Sequence, residues 1–250
     1  MGWVNVTNRR GAVAVRGRFR HTAAHTPYRE VMELEDVWPL FALRLVTPRL
    51  VLRPVRDDDL PGLVEAALAG IHEPDRMPFG VPWTDEAPER LARSFAAFHW
   101  GVRARMTREN WGVSFAVLRD GVPIGIQDLT ARSFAARRTV ETGSWLTASA
   151  QGQGLGTEMR AGLLLFAFDD LGAQWAESSA AAWNAPSLAV SSRLGYERNG
   201  VSRAQTRPGE VVDEVRVRVA SEQFRRPDWE LVTHGVASAR AQLLGEDAAP

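Results

Sequence analysis

No cysteine and no lysine occur among the 250 residues. The first absence removes a disulfide framework, a Cys-based zinc site and a thiol nucleophile. The second makes every one of the 30 basic residues an arginine, which excludes a P-loop, whose lysine must reach the outer phosphates. Net charge is absent too, so nothing global argues for a nucleic-acid partner. No apolar run approaches the ~20 residues that span a bilayer, so no membrane partner is expected and the expected location is cytoplasmic. The histidines at 21, 25, 72, 99 and 234 show no metal-ligand spacing, so no metal is expected.

Charge is unevenly placed. Residues 1–31 carry six arginines against Glu30, a balance of +5, which leaves −5 for the rest of a neutral chain. This head has no clear periodicity. A nucleic-acid or membrane arm and a transit-like peptide are both open readings, and an unstructured extension without a role is the expected one. Beyond it, the length suits one large domain or two small ones with a core that needs no staples.

Residues 139–160, TVETGSWLTASAQGQGLGTEMR, carry the most information. A half-alternating strand runs into a glycine-spaced turn and then into an apolar helical run. Such a turn gathers the backbone N–H groups of Gln151, Gly152, Gln153, Gly154, Leu155, Gly156 and Thr157 at a helix N-terminus. There, unsatisfied donors and the helix dipole favour phosphate oxygens. Glycines at 152, 154 and 156 let a pyrophosphate approach the main chain. A dinucleotide fingerprint fits weakly, because Thr157 stands where its third glycine belongs, although Glu177 lies in the right interval for the ribose acid.

The pattern that remains is Q-x-x-G-x-G, at Gln151, Gly154 and Gly156. In this the chain resembles the GCN5-related N-acetyltransferases, the GNAT family, whose loop binds the pyrophosphate of acyl-coenzyme A. Thr47, Pro48, Arg49, Leu50, Leu52, Arg53 and Pro54 look like the T-x-R-L-x-L-R-P first strand of its RimJ/RimL-like subgroup. Asn184, Ser187, Leu194, Gly195 and Tyr196 match N-x-x-S followed by L-G-Y/F. Gly209, Glu210, Val215, Asp228 and Trp229 are similar to that subgroup's last hairpin and its exit. The segment 72–84, HEPDRMPFGVPWT, looks closer still to an actinobacterial branch. The resemblance covers about residues 40–229. It implies a mixed α/β fold: a central, mostly antiparallel sheet whose fourth and fifth strands are parallel and splayed around acyl-CoA, flanked by helices. Residues 1–39 are then a basic, poorly ordered extension and 40–220 the acyltransferase domain. Residues 221–250 form a C-terminal extension that could hold a strand over 230–232 and a short helix to Leu244.

Periodicity places the elements. A strand around Leu50 and Leu52 precedes a helix capped by Asp57 and reaching about Ala69. Leu91, Phe95, Phe98 and Val102 mark the inner face of a helix over 86–105. Strands over 111–119 and 122–130 meet at Asp120-Gly121, a hairpin signal. A strand over 139–147, a helix over 153–171 with the face Leu155, Met159, Leu163 and Phe166, and a strand over 175–182 follow. The intervening helix allows the two strands to be parallel. A helix over 185–194 ended by Gly195, and strands over 201–206 and 211–220, complete the pattern.

Acyl transfer from a thioester to an amine needs a neutral amine, a polarised carbonyl and a proton for the departing thiolate. An α-amine of pKa about 7.7–8.0 is roughly a tenth neutral at pH 7, whereas a lysine near 10.4 is neutral only about once in 2,500. An α-amine therefore demands less of the base. By resemblance, Glu141 is the first candidate base and Glu210 the second. Many family members carry a tyrosine seven residues after the motif asparagine as the acid, and here that place is Ser191. Ser187 is instead the position from which RimL-like enzymes protonate the thiolate. Asn184 is expected to reach the pantetheine amide. The N–H of Leu146 or Thr147 is expected to polarise the thioester carbonyl, provided the strand carries the family's bulge. On the acceptor side, Arg76, Trp83 and Trp145 are the candidates, with Trp100 and Trp111 behind them. Arg76 suits a carboxylate, on a peptide or on a dicarboxylic donor.

The expected function is direct transfer, through a ternary complex, of an acetyl group from acetyl-CoA, or a succinyl group from succinyl-CoA. The acceptor is a primary amine on a protein N-terminus or a small molecule. A non-catalytic acyl-CoA-binding module is the alternative, and an assembly of identical copies is left open.

Overall fold

The computed structural model describes residues 32–245, and the basic head with its rival readings lies outside them. A short helix α1 (Leu34–Val37) and a 3-10 turn lead to β1 (Arg44–Val46) and β2 (Val51–Pro54). Helices α2 (Leu60–Leu68) and α3 (Pro88–Ala104) flank the proline-rich segment. Strands β3 (Asn110–Arg119) and β4 (Val122–Arg132) form the expected hairpin. Its two central residues, Asp120 and Gly121, have φ of 52° and 80°, the left-handed pair that such a tight turn requires. One helical turn, α4 (Phe134–Arg137), precedes β5 (Thr139–Leu146). Helix α5 (Leu155–Leu165) continues through a π-turn (Phe166–Asp170) to β6 (Trp175–Ala181). Helix α6 (Ala185–Arg193), the hairpin β7 (Glu197–Arg207) and β8 (Glu210–Ala220), then β9 (Val232–His234) and α7 (Val236–Leu244) follow.

The nine strands of the described residues join one sheet in the order β7-β8-β6-β5-β4-β3-β2-β1-β9. Only β5 and β6 run parallel, over Thr139↔Trp175 to Glu141↔Glu177, as a strand pair separated by a helix can. Segment 221–245 belongs to the same body. Its strand β9 pairs with β1 through Leu45↔Thr233, and Gln242 on α7 accepts the Leu40 N–H at 2.8 Å.

Side chains alternate across the sheet, and two cores result. On one face Val140 and Leu146 of β5 pack with Leu155, Met159 and Leu163 of α5. On the other, Trp145 and Ile126 pack with Leu63 of α2 and Phe95 of α3. Helix α5 is buried at nine of its eleven positions, Glu158 and Arg160 among them.

Two local expectations are corrected. Asp57 does not cap α2; its carboxylate bonds Trp100 Nε1 at 3.1 Å and the Arg103 guanidinium, both on α3. On α3 the buried stripe is Leu91, Phe95 and His99, at strict i, i+4, i+8 spacing. Phe98, expected inside, is 54% exposed.

Candidate active site

One side of the cleft begins where β5 ends. Ala148–Ala150 form a 3-10 turn, and Gly152 and Gly154 then adopt φ of 71° and 80°. This left-handed conformation is strained for any residue with a Cβ. Gly154 is the N-cap of α5, so free N–H groups of the first turn open into a cleft of about 1560 Å³. Gln151 faces inward. Its Nε2 donates to Leu146 O at 2.8 Å and to Ile71 O at 2.7 Å, which ties the loop to β5 and to the segment that roofs the cleft.

A second tie comes from the first-strand motif. Glu158, buried on α5, accepts Thr47 Oγ1 at 2.7 Å, the Arg49 N–H at 2.8 Å and Arg49 Nε at 2.6 Å. Arg49 Nη1 also donates to Gln153 O at 3.0 Å. The T-x-R sequence is thus a brace for the loop, and the arginine's half-exposed side chain places a cation on the cleft wall.

Beyond Glu141 and Glu177 the parallel ladder stops and the strands part. Backbone groups at such a fork lose their partners. Here Ser178 Oγ donates to Thr142 O at 2.9 Å and Thr142 Oγ1 to Glu177 O at 3.4 Å, so two hydroxyls bridge the strands where the ladder ends. The β4–β5 register runs unbroken from Ala131↔Val140 to Gly125↔Leu146, so the expected bulge is not what parts the strands. Thr147 N–H donates to Ile124 O at 2.8 Å and is therefore committed to β4. Alternation of donors along an antiparallel strand then turns the Leu146 N–H away from β4, toward the gap.

Across the sheet lies a second wall. Asp128 on β4 stands opposite Gly143 on β5, and a Cβ added at Gly143 would lie 3.9 Å from Asp128 Oδ2. The glycine therefore leaves the carboxylate open to the cleft. Asp128 is half-buried and lines the cleft. Burial pushes its pKa up to about 6, against the hydrogen bond from Ser114 Oγ at 2.5 Å. His99 lines the same wall; both its ring nitrogens are buried without a partner, and burial lowers its pKa to about 4. Phe79, Trp83, Phe95 and Trp145 form an aromatic wall with centroids 5.3–6.3 Å apart. Arg207 secures the roof from β7, donating to Asp85 Oδ2 at 2.7 Å and Pro74 O at 2.9 Å.

Over residues 49–197 the sequence matches the acetyltransferase (GNAT) domain family. The chain belongs to the GNAT family. Solved structures share the fold at low identity. Mycobacterium smegmatis RimJ in complex with CoA-disulfide has 22% identity and a TM-score of 0.62, covering 80% of this chain and 91% of its own. RimL, the ribosomal L7/L12 alpha-N-protein acetyltransferase in complex with coenzyme A, has 18% identity and a TM-score of 0.59, covering 70% and 96%. A GCN5-related N-acetyltransferase from Brucella melitensis has 19% identity and a TM-score of 0.56, covering 72% and 79%.

Within this GNAT fold the expected residues separate into two groups. Leu146, Gln151, Gly152, Gly154, Gly156, Thr157, Asn184 and Ser187 all line the cleft, as do Arg76, Trp83 and Trp145. Asn184 Oδ1 caps α6 by accepting the Ser187 N–H at 3.2 Å, which leaves its amide NH₂ for a ligand. Arg76 stacks its guanidinium 5.6 Å from the Trp183 ring centroid. Leu155 is fully buried in the core, and Gln153 turns outward to Arg119 at 2.8 Å. Glu141 is exposed and lies off the cleft wall, and Glu210 is held by Arg207 at 3.4 Å, also off it. Trp111 packs on Phe134 in the core and Trp100 is an exposed partner of Asp57, so neither reaches the cleft.

Asp128 and His99 were not expected. Asp128 had a legible signal, a charge on the inward phase of a strand between the apolar Ile126 and Leu129. His99 had one in its i+4 spacing from Phe95.

Proposed function

We propose that the protein transfers an acetyl group from acetyl-CoA to a primary amine, with the α-amine of a protein N-terminus as the favoured class and Asp128 as the general base. One observation carries this: a cleft-facing carboxylate with a pKa near 6, set opposite a glycine beside a strand fork. At pH 7 such a group is mostly ionised and can take the proton that the neutral fraction of an α-amine sheds as it attacks. The main-chain donors of residues 152–156 take the pyrophosphate, the Thr157 N–H being held by Gly154 O at 3.1 Å, while Asn184 takes the pantetheine arm and the Leu146 N–H the thioester carbonyl. Ser187, half-buried on the cleft wall, is positioned to hydrogen-bond the sulfur. The amine attacks the thioester directly, so no covalent enzyme intermediate forms. The named activity of RimL on a protein α-amine supports the acceptor class.

Arg76 favours one refinement. Its guanidinium faces the cleft over Trp183, where it could receive the carboxylate of a succinyl donor or of an acidic acceptor peptide.

Free-thiol release is the test, with acetyl-CoA or succinyl-CoA and a library of amine-bearing peptides and small amines. Release that depends on the amine, with mass spectrometry showing +42 (roughly, one acetyl) on the N-terminus, is expected. Tight CoA binding with no amine-dependent release would instead establish a binding module.

A further inference from the structure

Arg160 sits on the buried face of α5 with 3% of its surface exposed, on the wall of the cleft. Its Nη1 donates to Ser191 Oγ at 3.0 Å, its Nη2 to Ser144 Oγ at 3.0 Å, and its Nε has no partner. Among the described residues no carboxylate pairs with it. Glu158, two residues earlier, is held by Thr47 and Arg49. The phenol of Tyr196, the ionisable group that interacts with Arg160, is itself pushed up in pKa by burial and stays neutral near pH 7. A buried cation without a counter-ion is costly. Its position therefore points to an anion that arrives with the ligand.

Geometry decides which anion. Arg160 grips Ser144, whereas Asp128 stands opposite Gly143. Adjacent residues of a strand face opposite sides of the sheet, so the cation and the carboxylate flank the fork from its two faces. A donor held by the 152–157 loop and Asn184 must bring its thioester to that fork, between them. The amine then enters from the Asp128 face, and the Arg160 face, closed by α5 and α6, belongs to the leaving group.

We propose that Arg160 stabilises the coenzyme A thiolate as it departs. This rests on the acyl-CoA reading above. In the step, the amine nitrogen forms the C–N bond and its proton passes to Asp128. The C–S bond breaks with both electrons remaining on sulfur, and the thiolate pairs with the guanidinium, which keeps its proton. Ser144 and Ser191 hold the planar group in place from either side.

The test is an ultraviolet titration of the thiol of enzyme-bound CoA, using the desulfo-CoA complex as reference to cancel tyrosine absorbance. Wild type should hold the bound thiol at least about one unit below its free pKa. Arg160→Gln and Arg160→Met should return it to the free value, and Arg160→Lys should retain part of the shift. Turnover should fall roughly 100-fold or more in Arg160→Gln, while desulfo-CoA affinity by calorimetry stays within about threefold. A bound thiol with its free pKa in wild type overturns the proposal even if the glutamine variant does not fold. So does a variant that loses only a preference for succinyl-CoA over acetyl-CoA, which would reassign Arg160 to an acyl carboxylate. No heat with either CoA or desulfo-CoA in wild type would instead remove the acyl-CoA reading, and this proposal with it.

Discussion

The proposed donor side of the cleft is made of main chain and the proposed acceptor side of side chains, and the two differ in how sequence encodes them. The amides proposed to bind phosphate come from the consecutive residues 152–156, and their need for close approach and positive φ at Gly152 and Gly154 leaves a local pattern of glycines. The acceptor wall is assembled from α3, β4, β5 and the roof segment, bringing His99, Asp128, Trp145 and Trp83 together across some sixty residues of chain. No spacing rule links them. A backbone-built site is written in one place, whereas a side-chain site exists only after folding.

Substitution tests that contrast, and the acceptor wall should respond most strongly. Asp128→Asn is expected to lower kcat by roughly 10²–10⁴-fold while leaving acetyl-CoA affinity unchanged in calorimetry. The same change should stabilise the fold at alkaline pH. The folded-state pKa of Asp128 lies above its unfolded value, so the carboxyl favours folding when protonated, and that contribution is lost as pH rises through about 6. The asparagine variant should therefore exceed wild type by on the order of 1–2 kcal/mol at pH 8, after discounting for solvent in the cleft. At pH 4 the two should nearly coincide. Thermal unfolding at the two pH values checks this. A weakened CoA affinity would show that the two sides are not separable.

On the donor side, Gly154→Val places a β-branched residue at φ 80°. It should cost about 1–3 kcal/mol of local strain and weaken CoA binding roughly tenfold or more, with the acceptor wall intact. Arg49→Ala should act in the same direction but less strongly. It removes a cation from the cleft wall and leaves the buried Glu158 with Thr47 as its remaining side-chain partner, at a stability cost of about 1–3 kcal/mol. Arg76→Ala is expected to raise the acceptor or succinyl-CoA KM about threefold to tenfold, with acetyl-CoA turnover nearly unchanged.

Most of the fold was legible, because its signals are local. The Asp120-Gly121 turn, the apolar face of α5 and Gly195 after α6 each state their own conformation, and the parallel return of β6 follows from the helix before it. The errors have physical causes. Asp57 had stronger partners on α3 than the N–H groups of α2. Phe98 lost the buried stripe to His99, one residue on, because the i, i+4, i+8 line through Leu91 and Phe95 runs to residue 99. The function of Thr47 and Arg49 was recognisable only as a motif. Its reason, the brace on Glu158, is a contact between residues 109 apart in the chain. In sequence Arg160 is one more charged residue in a helix, and only its burial between Ser144 and Ser191 supports the role proposed for it.

The most direct measurement of the central claim, that a cleft-facing carboxylate opposite Gly143 takes the amine's proton, is the pH–rate profile of thiol release for wild type, Asp128→Asn and Glu141→Gln. Wild type and Glu141→Gln should both show kcat rising through a pKa near 6, with rates within about twofold of each other, and Asp128→Asn should lack that limb. A limb that persists in Asp128→Asn and disappears in Glu141→Gln would contradict the account and move the base to the exposed edge of β5.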